Sequence, residues 1–354
     1  MEPRILKRSD KVRNYFPKYG IENFLITKSE DVSYLTGLSG DDCAVLITAD
    51  KKYILTDARY ETAMSVLKPE FELVVIFDYI DHIKAIKPKK MGIQDTSMTL
   101  SVYSELASAI PEKDLISATG IMEDLRLTKE IEELEIIAQA EAIGDAAFSD
   151  ILGFIEPGIT EKRIAAELEY YMKLHGADGL SFATIAVSGI NSSKPHGVPS
   201  SKVVENGELL TLDFGCKYKG YCSDMTRTLA IGDVSSEMRD VYNVVLEAQL
   251  NACDKLKAGM HVKEGDALAR DIIVKYGYGE YFGHGLGHGV GLEIHEDPYL
   301  SFRGSHILQE NMTVTIEPGV YLPNKFGVRI EDLVFLTRSG IKNVTNSPKE
   351  LITL

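Results

Sequence analysis

Four acids and one histidine in the C-terminal half of the chain have the types and the setting to hold metal ions. Asp213 and Asp224 end and begin two apolar segments, ELLTLDF (208–214) and YCSDMTRTLAI (221–231), separated by KYKG (217–220). A hairpin centred between Tyr218 and Lys219 sets Asp213 directly opposite Asp224, with Cβ atoms about 4.5–5.5 Å apart. The pattern returns in MTVTIE (312–317) and GVRIEDLVFL (327–336), where a turn centred on Asn324 sets Glu317 opposite Glu331. Pro318-Gly319 leaves room for a bulge there. One such pair alone reads equally well as solvated acids on a sheet face. Both pairs adjoin strongly apolar runs, however, and four ionised carboxylates converging in a sheet are very costly unless neutralised. Two divalent cations cancel that charge, and dinuclear hydrolase sites hold their metals about 3.5–4 Å apart.

A further ligand is expected from GHGLGHGVGLEIH (283–295), which holds His284, His288 and His295 out of 8 histidines in the chain. A metal site, a phosphate loop and a glycine-rich turn are the alternatives. Neither GxGxxG nor GxxxxGK[ST] is present, no HExxH marks a helical zinc site, and no GxSxG marks a serine hydrolase. The DFG in LDFG (212–215) has no HRD loop beside it. Glycines at alternate positions argue against a helix and let the backbone pass close to a ligand.

The elements that must position these residues can be read along the chain. FLIT (24–27), AVLIT (44–48), YILT (53–56) and LVVI (73–76) read as strands, and 58–67 and 99–110 as helices, giving a small α/β domain that ends near Asp124. A long helix follows, with Thr128 as its N-cap, acids in its first turn and Pro157-Gly158 as its stop. A second helix runs from Glu161 to His175 and ends at Gly176. Met238, Val241, Tyr242, Val245, Leu246 and Leu250 keep helical spacing in a third, ended by Gly259, and a fourth runs to about Tyr276. Gly158 and Gly176 recur at the same interval as Gly259 and Gly277. Each helix pair precedes one of the acid-bearing hairpins, which predicts two related halves in one C-terminal domain.

In order and context the five candidate ligands resemble those of the pita-bread metallopeptidases, the family of prolidase, aminopeptidase P and, more distantly, methionine aminopeptidase. The matching segments are LDFGCKYKGYCSDMTRT, GHGLGHGVGLEIHE, TIEPGVY and GVRIED, with PHGVPS (195–200) on the substrate side. YLTGLSG (34–40) and LTDARY (55–60) carry the resemblance into the N-terminal part, so it covers nearly the whole chain.

The resemblance implies an α/β (α+β) fold. Residues 1–124 form a small creatinase-like α/β domain, and 125–354 a pita-bread catalytic domain of duplicated helix pairs and antiparallel sheet. It implies that Asp213 chelates one metal, Asp224 bridges both, His288 and Glu317 bind the other, and Glu331 bridges again. Arg329 is then the guanidinium that orients these acids. The implied reaction is hydrolysis of Xaa-Pro peptide bonds by a hydroxide bridging two metals, with Glu317 as general base and acid. His284, His295 and His196 face substrate and transition state, and Tyr321 lies near the site or simply packs in its strand. Hard oxygen donors with one imidazole suit Mn²⁺ or Co²⁺, with Zn²⁺ or Fe²⁺ also accommodated. His82, His175, His261 and His306 match nothing and read as structural or exposed.

The implied substrate is a proline-containing di- or oligopeptide. Length and PHGVPS point to the dipeptidase, prolidase, with an aminopeptidase P-type enzyme as the alternative. Tyr299 in HEDPYLS stands where many short prolidases carry an arginine, and a tyrosine offers no bidentate clamp for a carboxylate. A non-catalytic binding protein on the same fold ranks lower, since such relatives are expected to lose ligands. The resemblance also implies a homodimer. Asp57 and Arg59 in LTDARY either reach the partner's site or form an internal salt bridge, the latter being the simpler reading.

Composition agrees with a soluble, two-domain protein. The chain has 354 residues, 44% hydrophobic and 26% charged. A net charge of -15 disfavours nucleic acid as a partner. Cys43, Cys216, Cys222 and Cys253 form no CxxC and fit a reducing compartment such as the cytoplasm. MEPRILKRSDKVRNYF lacks the apolar core of a secretion signal, and no apolar run approaches a membrane span, so no membrane partner is expected.

Overall fold

The computed structural model describes residues 3–38 and 42–354. The last two residues of YLTGLSG lie outside the described residues. The chain divides into two compact units, Met1–Arg126 and Leu127–Leu354.

The N-terminal unit is built on a six-stranded sheet. In spatial order its strands are Glu72–Val75, Lys52–Thr56, Cys43–Thr48, Asn23–Ile26, Met91–Ile93 and Leu115–Ser117. Cys43–Thr48 runs antiparallel to both neighbours and the outer pairings are parallel. The last two strands have only three residues each, too few to show a period in sequence. The segment expected to be helical over 58–67 is broken into a short helix, Glu61–Met64, and a 3-10 turn, Ser65–Leu67. Asp57 and Arg59 satisfy each other: Arg59 donates to Asp57 Oδ2 at 2.6 Å and also to Asp42 Oδ2 at 2.6 Å.

The C-terminal unit repeats one plan. The helices Ile131–Leu152 and Glu161–Leu174 precede the hairpin of Glu208–Phe214 and Met225–Ile231. The helices Ser236–Lys255 and Val262–Lys275 precede the strands Thr313–Ile316 and Asp332–Leu336. Each helix pair buries its apolar face against its own strands: Ile143, Phe148 and Leu168 meet Leu212 and Phe214, while Val241, Val245 and Ile273 meet Val314 and Val334. Gly158 and Gly259 both take positive φ, as do Gly176 and Gly277, so the recurring glycines occupy matching backbone positions.

The helix ends need correction. The first helix is capped by Glu130, which forms a capping box with Glu133, because Thr128 lies two residues too early, just past the separate helix Ile121–Leu127. It stops at Leu152, and the third stops at Lys255, where Leu256 turns extended. Pro157-Gly158 and Gly259 therefore shape the loops between helices rather than the helix ends. His261 serves as N-cap of the fourth helix. Among the described residues no helix is long and apolar enough to cross a membrane.

Candidate metal centre and substrate cavity

The first hairpin turns one residue later than expected. Lys219 and Gly220 both have positive φ, 48 and 84°, and form a two-residue turn of the kind that matches strand twist. Tyr218 consequently pairs with Tyr221, and Asp213 pairs with Thr226 rather than with Asp224. Because side chains alternate with period two, the slip leaves Asp224 on the same face as Asp213, as a diagonal neighbour. Gly215 is required here: a Cβ would fall on the Ser223 carbonyl.

In the second half the register is the expected one on both sides of the acids. Gly319 pairs with Arg329 and Ile316 with Asp332, with Asn324 at φ 59° in the turn. At the acids themselves the ladder opens. The Glu317 amide donates to Leu286 O at 2.8 Å, and the Glu331 amide donates to Thr226 O at 3.1 Å. The second contact joins the two halves, so the acids of both converge on one seam.

The histidine segment reaches the seam as the strand Gly287–Gly289. A Cβ on Gly287 would strike the Thr315 carbonyl, which explains the glycine beside His288. The His288 amide donates no bond to a helix but meets Thr315 Oγ1 at 3.1 Å, and the same hydroxyl donates to Glu317 Oε1 at 3.1 Å. His288 Nδ1 faces Gly289 O at 3.1 Å, so the ring proton sits there and the Nε2 lone pair is left facing the acids. Nε2 lies 3.3 Å from Glu317 Oε1 and 3.5 Å from Asp224 Oδ2. Ligand atoms of Asp224, His288 and Glu331 all fall within 4.8 Å of one another.

These groups are buried: Asp224 is 4% exposed, Glu331 2% and His288 8%. Burial, and then repulsion from Glu331, Asp213 and Glu317, pushes the Asp224 carboxyl well above the usual carboxylate range. Burial followed by Glu317 and Asp213 does the same to Glu331, and burial raises Glu317 to about 7. Burial, reinforced by His295, lowers His288 to about 3, so its imidazole is neutral. Anions that repel one another beside a neutral imidazole with an inward lone pair are a donor set suited to hard or borderline dications, and the residues fit such ions.

Arg329 ties the surroundings together. Its Nη2 donates to Asp213 Oδ2 at 2.5 Å, its Nε to Thr226 Oγ1 at 3.0 Å, and its Nη1 to Tyr321 Oη at 2.7 Å and Pro195 O at 3.1 Å. His284 Nδ1 faces Gly285 O at 2.8 Å, which leaves Nε2 to accept from Tyr321 Oη at 3.1 Å. Both nitrogens of His284 are therefore engaged within the protein. His295 stacks edge-on against His288, with ring centroids 4.3 Å apart. His196 and His295 are exposed to the cavity and hydrogen-bond to none of the described residues.

Sequence reasoning missed three supports. Thr226 donates to Glu331 Oε2 at 2.6 Å, Thr315 supports Glu317, and the fully buried Glu141 accepts from the Asp224 amide at 3.2 Å. Thr226 lies two residues after Asp224 and Thr315 two before Glu317, so strand alternation alone could have placed both hydroxyls on the ligand face. Glu141 sits on a helix, and its sequence gives no such signal. The centre opens into a cavity of about 770 Å³ whose lining includes Phe182, Ile294, His196 and Tyr299.

Comparison with known proteins gives the class. Metallopeptidase family M24 matches residues 135–338, and the creatinase/prolidase N-terminal domain matches residues 8–128. The chain belongs to this family and is a peptidase with a creatinase-type N-terminal domain and a pita-bread C-terminal domain. It is 39% identical over 351 residues to an Xaa-Pro dipeptidase of Pyrococcus furiosus, covering 98% of this chain and 99% of that one. Among solved structures it resembles an Xaa-Pro dipeptidase from Bacillus anthracis, with a TM-score of 0.95, 43% identity, and 99% of this chain and 100% of that chain covered. It also resembles an X-Pro aminopeptidase from Thermotoga maritima, with a TM-score of 0.87, 39% identity and coverage of 96% and 100%.

Proposed function

We propose that this peptidase hydrolyses Xaa-Pro bonds as a dipeptidase, using two divalent cations held by Asp213, Asp224, His288, Glu317 and Glu331. The observation that carries the reading is the buried gathering of Asp224, Glu317 and Glu331 about the neutral imidazole of His288, with Asp213 close enough to repel Asp224, an excess of negative charge that dications offset. Mn²⁺ or Co²⁺ best suits the oxygen-rich set, with Zn²⁺ or Fe²⁺ as substitutes. When bound, the cations supply Lewis acidity to the scissile carbonyl and to the attacking water.

The protein's own groups do the rest. Glu317 takes the proton of the attacking water and returns it to the departing proline nitrogen. His295 and His196, facing the cavity, donate to the substrate's carbonyl groups and orient the scissile bond. His284 acts through its contact with Tyr321, and Arg329 fixes Asp213 and Tyr321 together. The wall formed by Phe182 and Ile294 offers the proline ring an apolar surface. The relatives named as Xaa-Pro dipeptidases support the dipeptide substrate. Tyr299, which cannot fork onto a carboxylate, favours the aminopeptidase as the second reading, in line with the Thermotoga neighbour. Cys43, Cys216, Cys222 and Cys253 form no disulfide with one another, in keeping with a reducing compartment such as the cytoplasm.

The test compares an Xaa-Pro dipeptide with an Xaa-Pro-Xaa tripeptide after metal loading, with products followed by mass spectrometry. Cleavage of the dipeptide alone is expected. Preference for the tripeptide selects the aminopeptidase, and turnover of neither removes the reading.

A further inference from the structure

A dipeptide differs from the start of a longer chain by the carboxylate on its second residue. A cavity holding four acids must meet that anion with a cation if it is to prefer the dipeptide. Among the described residues two arginines and no lysine line the cavity. Arg329 is committed elsewhere, since Asp213 pairs with its charge and Asp213, Thr226, Tyr321 and Pro195 take up four of its five N–H donors. Arg303 is not: no carboxylate among the described residues pairs with it, and its guanidinium lies 5.1 Å from the Phe302 ring centroid.

The backbone holds Arg303 in place. Gly304 N donates to Ser301 O at 3.0 Å, and Arg303 N donates to Ser301 Oγ at 3.2 Å, closing a tight turn. Gly304 is fitted to that turn, because a Cβ there would meet Tyr299 O at 2.8 Å. The next side chain is anchored as well: Phe302 lies 5.4 Å under the Arg270 guanidinium, and Arg270 is itself paired to Asp266. A fixed turn thus presents an unpaired, planar, permanently charged fork at the cavity.

We propose that Arg303 binds the free carboxylate of the dipeptide and so sets this chain's preference for dipeptides over longer peptides. The inference rests on the Xaa-Pro reading above and names the residue that gives it its substrate length.

The experiment measures kcat/KM of the metal-loaded wild type, Arg303→Ala, Arg303→Gln and Arg303→Lys on an Xaa-Pro dipeptide and on the same dipeptide as its C-terminal amide. Losing a hydrogen-bonded charge of this kind corresponds to about a 10- to 100-fold effect. The ratio of dipeptide to amide kcat/KM is expected to fall by that factor in Arg303→Ala and Arg303→Gln, mostly through KM, and to recover in part in Arg303→Lys. An unchanged ratio overturns the proposal, including the case where both substrates are lost equally, as for a merely structural residue. Equilibrium binding of proline and prolinamide to the same proteins gives a second readout without turnover. Proline binding weakened in Arg303→Ala relative to prolinamide supports the proposal; equal binding, or none to the wild type, overturns it. Failure of the wild type to cleave any Xaa-Pro substrate sinks the Xaa-Pro reading and leaves the binding ratio to decide on Arg303.

Discussion

The Thr226 hydroxyl donates to Glu331 Oε2 at 2.6 Å across the seam between the two halves of the C-terminal unit. Thr226 Oγ1 in turn accepts from Arg329 Nε at 3.0 Å. One hydroxyl thus aligns an acid of the second half with a strand of the first. Thr226→Val keeps the shape and removes the hydroxyl. Metal affinity should fall about 10- to 100-fold, read by calorimetric titration of the metal-free protein with Mn²⁺. Unchanged affinity would show that Glu331 needs no such alignment.

Tyr321 joins Arg329 to His284 through one hydroxyl. Tyr321→Phe keeps the packed ring and cuts the connection. A fall in kcat of about 10-fold is expected, matching one lost hydrogen bond to a charged group, with the melting temperature within a few degrees of wild type. A variant with full kcat would return Tyr321 to a packing role.

Metal removal should make stability depend on pH in a defined direction. Glu317 is raised from 4.5 to about 7 by burial, and burial with repulsion from neighbouring acids raises Asp224 and Glu331 well above the usual carboxylate range. Folded carboxyls with raised pKa values hold protons that the unfolded chain releases. Their contribution is therefore intact below the ordinary carboxylate range and is lost as pH rises through the folded values. Compared with Glu317→Gln, in which the buried neutral His284 and His288 make the same opposite contribution, the metal-free wild type should lose more melting temperature between pH 5 and pH 8, and added Mn²⁺ should restore the loss at pH 8. Differential scanning calorimetry with and without chelator reads this. The same pH dependence in wild type and Glu317→Gln would mean that burial does not raise the Glu317 carboxyl.

Asp332 shows the structural use of charge behind the site. Fully buried, it accepts from Arg227 Nη2 at 2.8 Å, Gln249 Nε2 at 2.9 Å and Asn343 Nδ2 at 2.6 Å, and it also pairs with Lys349. Asp332→Ala strands two cations and should cost about 3–5 kcal/mol, measured by urea unfolding. The exposed Lys84–Asp81 pair offers the contrast, since its removal should cost less than about 0.5 kcal/mol.

Much of the site was readable because strand alternation and turn chemistry are local. Asn324 tolerates positive φ and set the second register as expected. At the first turn the left-handed pair is Lys219-Gly220, one residue later than assumed, and only the period of two kept Asp213 and Asp224 on one face. The short strands Met91–Ile93 and Leu115–Ser117 carry no pattern of their own and exist because their neighbours pair with them. Glu141 under Asp224, and Arg303 at the cavity, were illegible for the same reason: what they meet is decided by packing between distant segments, not by spacing along the chain.

The central claim is that the carboxylate cluster needs dications to hydrolyse an Xaa-Pro bond. Its most direct test is a titration of the metal-free protein with Mn²⁺, following hydrolysis of an Xaa-Pro dipeptide and metal bound per chain together. The account predicts no turnover without metal, activity that rises to saturation as two ions bind, and abolition of most turnover in Glu317→Gln despite an intact fold. Full activity in the metal-free protein, or no Xaa-Pro turnover once two ions are bound, would contradict it.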